Sequence, residues 1–433
     1  MNIYYVSANG CDTADGLSPD TAWKTIQKVN SSVAGGDEVR FRCGDTFYGT
    51  INPPAGISAE QPTTYTSYGE GKKPVVCQYK ITKPGAWDKI SENIFKIDMS
   101  DTSRFDGNIS ELDNNAGFMK IDGRIYYERV YAMDDLKHQW QFFSNYDDNC
   151  IYVYSEKCPC EMAKEIKIAC NIRCMAFTTH LKVCGIEFRG TGGHGLNGVT
   201  RGAYVYDCEF HELGGSHLKG FPRANTRYGN GVECWANSCE VTVDHCKFSG
   251  IYDVAITMQG GNVQIDWENM YFTNNEMWDC TQCFEIWASG DIPGKGFKNC
   301  HFENNVCVNS GWCWGYEARP DKVNVSHLLI YGLSIPDQLC DITITGNFFS
   351  NARRSTIFKA GGAAKMPSGY KIFGNTIIRP KGQVIINVDE QTWDSSENSA
   401  QQDLRNKARE VYEAFEKMIV DNNCVIDTIS YQN

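Results

Sequence analysis

The sequence has no excess of basic residues and no long apolar segment. Its 53 Asp and Glu residues outnumber its 41 Lys and Arg residues, so the formal net charge is −12 at pH 7. An acidic surface of this kind disfavours nucleic acid and anionic lipid, and we expect neither nucleic acid nor a membrane as a partner. No basic, apolar and small-residue leader opens the sequence, and no apolar run reaches transmembrane length. A cytoplasmic location is expected, or a secreted one if a leader has been removed.

Signals for a metal or a cofactor are also sparse. Two zinc-like spacings occur, Cys158-Pro159-Cys160 and Cys280-x-x-Cys283, but neither is followed by a second well-spaced pair. No cluster of Asp residues has the pattern of a calcium site. We therefore expect no metal and no cofactor. The chain of 433 residues is long enough to fold without disulfides, so its 20 cysteines are expected mostly as buried thiols in a reducing compartment.

The sequence does contain an internal repeat between Glu240 and Arg319. Three copies of one unit follow each other at 240–259, 269–289 and 299–319. Each copy has an alternating strand, a polar pair, a short turn and a second alternating strand. The polar pairs recur every 30 residues, at Asp244-His245, Asn274-Asn275 and Asn304-Asn305. A fixed period of strands without intervening helices predicts a parallel β solenoid.

The solenoid pattern divides the chain into four parts. Residues 1–78 form an amino-terminal module with the first coils, and 79–170 form an inserted subdomain of short antiparallel strands resembling a β-sandwich. The main solenoid occupies 171–390, where Asn347 and Asn375 continue the Asn ladder. Asn is favoured at such positions because it tolerates a left-handed bend and its amide can bond along the axis. Residues 391–433 form a helical tail.

Two helices are expected to cap the solenoid. The segment 18–30 has Ser18 as N-cap and Pro19 at the first helical position, with Trp23, Ile26 and Val29 available for burial. The segment 399–420 carries an apolar stripe at helical spacing. A cap at each end is needed because a terminal coil exposes unpaired backbone and apolar side chains.

The amino-terminal module carries a resemblance to a known class of proteins. The segments YYVSANGCDTADGLSPDTAWKTIQKVN (4–30), GGDEVRFRCGDTFYGTI (35–51) and YTSYGEGKKPVV (65–76) resemble the opening of right-handed parallel β-helix carbohydrate-active enzymes. These include glycoside hydrolases of the β-xylosidase, α-L-fucosidase and lacto-N-biosidase types, and some polysaccharide lyases. The resemblance implies an all-β, right-handed parallel β-helix that works on glycans, and it leaves the activity open.

Candidate catalytic residues come from the parity of the second strand in each copy. Alignment of the repeats at a 30-residue period places Asp253, Glu285 and Glu317 outward on one exposed strip, about 8 Å apart between backbones. Paired carboxylates at about 5–9.5 Å are what glycoside hydrolysis requires, one protonated and one ionised. The strip is flanked by four candidate substrate-binding residues. They are His217, Lys219, Trp287 and Arg319.

Three further residues are candidates. Glu233, in the strand before Asp253, is a fourth possible catalytic acid, and Gln259 and His194 are possible substrate-binding residues. For each candidate acid the structural alternative is a solvated carboxylate or a turn residue. His194 has glycine-rich flanks, which favour a turn position.

The leading hypothesis is a glycoside hydrolase that acts on an oligosaccharide by a paired-carboxylate mechanism. The first alternative is a polysaccharide lyase or epimerase, for which His217 and Lys219 are possible bases. The second is a non-catalytic carbohydrate-binding solenoid. The sequence does not decide between a monomer and a homo-oligomer.

Overall fold

The computed structural model describes residues 1–107, 111–220, 225–261, 266–288, 294–320, 325–332, 339–360, 369–388 and 399–428. Short parallel strands dominate these residues, which confirms the predicted all-β solenoid. The strands form three long sheets, and each strand pairs with the equivalent strand of the next coil. The architecture is a parallel β-helix. Among the described residues, no helix combines the length and the hydrophobicity that would be needed to cross a bilayer.

Sheets A and B have ten strands each, and sheet C has eight. Sheet A contains Ile3–Val6, Glu38–Arg42, Thr63–Tyr68, Leu181–Cys184, Arg201–Tyr206, Cys239–Asp244, Asp266–Thr273, Gly296–Glu303, Leu339–Thr345 and Tyr370–Phe373. Sheet B contains Thr46–Tyr48, Val75–Cys77, Glu187–Thr191, Glu209–Leu213, Lys247–Ile251, Glu276–Trp278, Val306–Val308, Phe348–Ser350, Thr376–Pro380 and Cys424–Thr428. Sheet C contains Met175–Ala176, Leu196–Gly198, Val232–Trp235, Val254–Gly260, Gln282–Ala288, Ser326–Gly332, Ser355–Ala360 and Ile386–Val388.

A mainly antiparallel unit lies between the early coils and the main solenoid. One of its sheets contains Arg124–Tyr126, Ala116–Ile121, Ile166–Cys170 and Lys80–Ile81. The other contains Arg129–Val130, Phe142–Asn145, Cys150–Tyr154, Ile94–Asp98 and Asp88–Lys89. The unit has its own apolar core, separate from that of the solenoid. We refer to it as the insert. A short pair of strands, Ser216–His217 and Arg227–Tyr228, forms a hairpin beside it.

The solenoid core is built from side chains that stack from coil to coil. Phe188, Phe210 and Phe248 of sheet B stack nearly parallel, with ring centroids 5.2 and 4.7 Å apart. Inward residues of sheet C, such as Ile256 and Phe284, belong to the same buried cluster. Alternation along each strand then turns the intervening residues outward, as the sequence pattern predicts.

The Asn ladder is present and is longer than predicted. Asn275, Asn305, Asn347, Asn375 and Asn423 are stacked, and each of the first four donates its backbone N–H and its side-chain amide to the next Oδ1 at 2.8–3.0 Å. This satisfies backbone and side-chain groups where the chain turns between sheets A and B.

The first copy of the repeat is out of step with the predicted 30-residue spacing. Cys246, not His245, occupies the ladder position, and its N–H donates to Oδ1 of Asn275 at 2.9 Å. His245 instead aligns with Asn274 in the left-handed bend, where their φ values are 53° and 55°. In each coil the residue just before the ladder position therefore takes the left-handed backbone, and the residue at the ladder position makes the hydrogen bond along the solenoid axis.

The helices differ from the prediction at the amino terminus and agree at the carboxyl terminus. Ser18 caps only the 3₁₀-helix Pro19–Thr21, and the α-helix Ile26–Ser32 starts after Thr25, whose hydroxyl accepts the N–H of Lys28. Trp23 separates the two because it forms a bridge with Val6 of sheet A. The remaining helices are Thr102–Arg104, Met133–Asp135, Pro159–Met162, Trp314–Ala318 and Ser399–Asn422.

The carboxyl-terminal helix covers the last coils. Ile419 and Tyr412 are buried in the solenoid core, so the helix acts as the expected cap. After it the chain returns to the solenoid, because Cys424–Thr428 pairs in parallel with Thr376–Pro380. This last strand lies in the segment that the sequence analysis treated as a helical tail.

Candidate active site

The outer face of sheet C carries two columns of aligned side chains. Glu233 pairs with Thr257, which pairs with Glu285, and we name these three residues the acid column. Trp235 pairs with Gln259, which pairs with Trp287, and these three form the tryptophan column. The two columns lie one outward step apart, about 6.6 Å along each strand.

The register corrects the alignment that was made from the sequence. The 30-residue period paired Glu285 with Ala255, whereas the structure pairs it with Thr257. The ladder spacing at this coil is 29 residues, from Cys246 to Asn275, and the turn from sheet B into sheet C is one residue shorter in the second copy. The 30-residue spacing is therefore two residues too long here. Glu285 and Trp287 keep their outward parity, since a shift of two preserves the face.

Glu285 is the most perturbed acid of the site. Its side chain is enclosed, and only 7% of the residue is exposed. Burial, and then the nearby negative charge of Asp253, raise the pKa of Glu285 from 4.5 to about 8. The Thr257 hydroxyl donates to its Oε2 at 2.7 Å and opposes this rise. Glu285 is therefore protonated at neutral pH and can donate a proton to a leaving group.

Glu233 lies two coils away in the same column and is surrounded by donors. It is 4% exposed, and its Oε2 accepts from Asn230 Nδ2 at 2.9 Å and from Gln259 Nε2 at 2.5 Å. Donors of this kind stabilise a negative charge on a carboxylate. Nδ1 of His194 lies 3.4 Å from the same oxygen and accepts the backbone N–H of Asn230. His194 and Gln259 thus both contact Glu233.

Asp253 stands just before the strand Val254–Gly260, so its backbone is about 14 Å from that of Glu285 and not at the predicted distance of about 8 Å. Nη1 of Arg319 donates to its Oδ1 at 2.8 Å, and both side chains are largely buried. The guanidinium of Arg319 also lies over the ring of Tyr252, 5.3 Å from its centroid. This ion pair fixes Asp253 where its charge acts on Glu285.

Glu317 does not join these acids, contrary to the prediction. The predicted strand is the short helix Trp314–Ala318, and Glu317 is exposed on it and pairs with Arg353. Tertiary packing explains the difference. The Trp314 ring packs on Phe118 of the insert at 4.8 Å, and its Nε1 donates to Gly250 O at 3.0 Å. The next strand of sheet C is instead Ser326–Gly332, beyond the third copy of the repeat.

His217 and Lys219 lie beside the insert, not in the predicted column next to Glu285. The backbone of His217 exchanges hydrogen bonds with the side chain of Asn115 at 2.8 and 2.9 Å. Burial, followed by the charges of Arg129 and Arg227, lowers the pKa of His217. Lys219 is exposed, and its Nζ lies 4.3 Å from the ring centroid of Tyr146 in the insert.

A buried arginine joins the three parts that surround the acids. Arg227 donates to the carbonyl oxygens of Gly215, Gly117, Tyr127 and Ala318 at 2.5–3.1 Å. These carbonyls belong to the hairpin, the insert and the short helix. The guanidinium of Arg227 also lies 5.1 Å from the ring centroid of Tyr252, the residue before Asp253, so this packed junction is next to Asp253.

Trp235, Thr257 and Asn230 are site residues that the sequence analysis did not select. A signal for Trp235 is present, because Glu-x-Trp occurs twice in sheet C, at Glu233 and at Glu285. For Thr257 and Asn230 the sequence holds no comparable signal. Their positions depend on the register and on the turn before Val232.

Metal binding has no obvious place in this arrangement. Across the part of the chain that the structure describes, no group of three or more His, Cys, Asp or Glu side chains is placed to hold an ion. Cys280 and Cys283 are both fully buried in the solenoid core.

No protein-family model and no curated protein matches this chain. Several solved structures are similar to it. Carbohydrate-active enzymes with a parallel β-helix are among them, as the amino-terminal segments predict.

A GH136 lacto-N-biosidase from Eubacterium ramulus is 12% identical with a TM-score of 0.45, over 89% of this chain and 65% of that one. XylC in complex with xylose is 12% identical with a TM-score of 0.45, over 98% and 82% of the two chains. An alginate lyase from Paenibacillus sp. str. FPU-7 is 11% identical with a TM-score of 0.44, over 89% and 91%. This chain thus spans 65% of the lacto-N-biosidase, and such distant similarity assigns no activity.

Proposed function

We propose that this protein is a glycoside hydrolase in which Glu285 is the general acid and Glu233 the general base. The observation that carries the proposal is the contrast between the two acids of one column. Burial and Asp253 keep Glu285 protonated, whereas Asn230 and Gln259 donate to Glu233. A carboxyl group with a raised pKa can act as the acid of glycoside hydrolysis, and a second carboxyl group in the same column can act as the base.

The geometry favours inversion of the anomeric centre. Glu233 and Glu285 lie two coils apart, so their backbones are about 10 Å apart. Inverting enzymes hold their carboxyl groups about 6.5–9.5 Å apart to leave room for a water molecule. In this proposal Asp253 raises the pKa of Glu285 and does not attack the sugar.

Leaving-group dependence tests the two roles separately. Wild type is first screened on aryl-glycosides and defined oligosaccharides, with the anomeric configuration of the product followed by NMR. Glu285→Gln should then lose hydrolysis of the oligosaccharide but keep much of it on a glycoside with an activated phenol, which needs no protonation. Glu233→Gln should lose both activities. Glu276→Gln, an exposed glutamate of sheet B, is the matched control.

Two results would contradict these roles of Glu285 and Glu233. Hydrolysis of the oligosaccharide by Glu285→Gln at the wild-type rate would exclude Glu285 as the acid. Retention of configuration would exclude Glu233 as an inverting base.

A lyase is the second candidate, and the cluster beside the insert favours it. His217 has a lowered pKa, so its imidazole is neutral, and Arg129 and Lys219 lie near it. A neutral base beside cations suits abstraction of a proton next to a sugar carboxylate. Incubation with polyuronates, followed by ultraviolet absorbance of an unsaturated product, tests this candidate. Loss of that absorbance in His217→Asn, with the absorbance kept in Glu285→Gln and Glu233→Gln, would assign His217 as the base.

A further inference from the structure

We propose that Trp235 and Trp287, with Gln259 between them, form a sugar-binding subsite for a neutral oligosaccharide beside the acids. The proposal rests on the proposed function, because it assigns the part of the substrate that extends beyond the cleaved bond. It begins from a repetition in the chain. Val232–Trp235 and Gln282–Ala288 both contain Glu-x-Trp, and the register places the two motifs on one face, two coils apart.

The exposure of Trp235 is the second observation. The indole is on the outer face of sheet C and the residue is 41% exposed. An outward indole has no part in the solenoid core, which takes the inward residues Cys234 and Val232. Exposed aromatic rings beside convergent polar groups are typical of ligand sites, and an indole offers a broad apolar face to a sugar ring.

The lattice of the sheet sets the position of this subsite. Trp235 and Trp287 are about 10 Å apart along the solenoid axis, and each lies about 6.6 Å along its strand from the neighbouring glutamate. Gln259 joins the columns, because its amide donates to Glu233 at 2.5 Å. A substrate that contacts both the acids and an indole must therefore hold at least two sugar units.

The acidic side chains beside the tryptophan column favour neutral over acidic sugars. The acid column and the tryptophan column contain no Lys or Arg, and Glu233 and Glu285 belong to the first of them. Arg319 is engaged with Asp253 at the opposite end of the strand. A uronic acid at the tryptophan column would meet the carboxylate of Glu233, and the column itself supplies no cation to pair with it, so neutral sugars are favoured.

Binding to a non-hydrolysing variant provides the test. Glu285→Gln is titrated with neutral oligosaccharides of increasing length, using calorimetry and quenching of Trp fluorescence. Adding Trp235→Ala should weaken binding of the longer oligosaccharides about tenfold and leave binding of a monosaccharide unchanged. Trp278→Ala is the matched control, since Trp278 is also 41% exposed and also lies in a Glu-x-Trp motif, but on sheet B.

The outcomes separate this inference from the proposed function. Equal binding by the Trp235→Ala and Trp278→Ala proteins would overturn the subsite, even if the wild type proves to be a hydrolase. Tighter binding of acidic than of neutral oligosaccharides would overturn the assignment to neutral sugars. Weaker binding in Trp235→Ala alone would support the subsite, even if the wild type shows no hydrolysis.

Discussion

Removing the charge of Asp253 should shift the pH dependence of activity to lower pH. Glu285 must be protonated to act as the acid, so activity should fall as the pH rises through its pKa of about 8. Asp253 contributes to that raised pKa as a nearby negative charge. Asp253→Asn removes the charge and keeps the shape, so the alkaline limb of the profile should move to lower pH.

The size of the shift follows from the sheet lattice. Asp253 is one coil and four residues away from Glu285, which separates their backbones by about 14 Å. We take about 7–10 Å as the separation of the carboxyl groups, the range that an Asp and a Glu side chain reaching towards each other would give. At an effective dielectric constant of about 20, two unit charges at that distance repel by about 1.7–2.4 kcal/mol. The limb should therefore move down by about one to two pH units.

The assay measures kcat/KM as a function of pH with an oligosaccharide whose leaving group must be protonated by the acid. Asp341→Asn is the control, because Asp341 also pairs with a cation but lies on sheet A. A limb that stays in place in Asp253→Asn, or moves to higher pH, would refute the electrostatic coupling of Asp253 to Glu285.

Three further predictions follow from the same contacts. Thr257→Val removes the hydroxyl that donates to Glu285, so the pKa of Glu285 should rise and the alkaline limb should move up; a downward movement would contradict this. Because the folded pKa of Glu285 exceeds its ordinary value of 4.5, wild type should lose stability as the pH rises from about 4.5 to 8. Glu285→Gln should remove this loss, which is worth up to about 5 kcal/mol at pH 8. Urea denaturation at several pH values measures it, and an equal change of the unfolding free energy with pH in both proteins would contradict the reasoning. Asn305→Ala interrupts the buried ladder and should cost about 2–4 kcal/mol in thermal or urea unfolding. Asn299→Ala, which removes exposed amide bonds at a residue with left-handed backbone, should cost less; equal costs would contradict a special role for the buried ladder.

The general fold and the parity of the candidate site could be predicted from local pattern. Alternation of apolar residues marks the inward face of each strand, so Glu285 and Trp287 could be placed outward without coordinates. The Asn pairs marked the bends because left-handed backbone favours Asn. Both signals are local, and each depends on only a few residues.

The register of sheet C could not be predicted, because it depends on the lengths of turns. A period measured at the Asn ladder pairs Glu285 with Ala255, and the true partner is Thr257. The pairing of Glu233 with Glu285 through Thr257 was missed for the same reason. Parity survives such an error, but the assignment of neighbours does not.

Tertiary packing decided the other differences. Trp314 packs on Phe118 of the insert, about two hundred residues earlier, so its segment is a helix and Glu317 turns away from the acids. His217 is held by Asn115 of the insert. The sequence pattern of the repeat holds no information on its contacts with the insert, so these differences could not be predicted from it.

The central claim is that Glu285 carries a proton at neutral pH. A carboxyl ¹³C NMR titration of protein labelled at glutamate, with Glu285→Gln used to assign the resonance, measures this directly. We expect one glutamate that titrates near pH 8 and disappears from the spectrum of the variant. A Glu285 resonance that is already ionised at pH 7, with its midpoint near the ordinary 4.5, would contradict it.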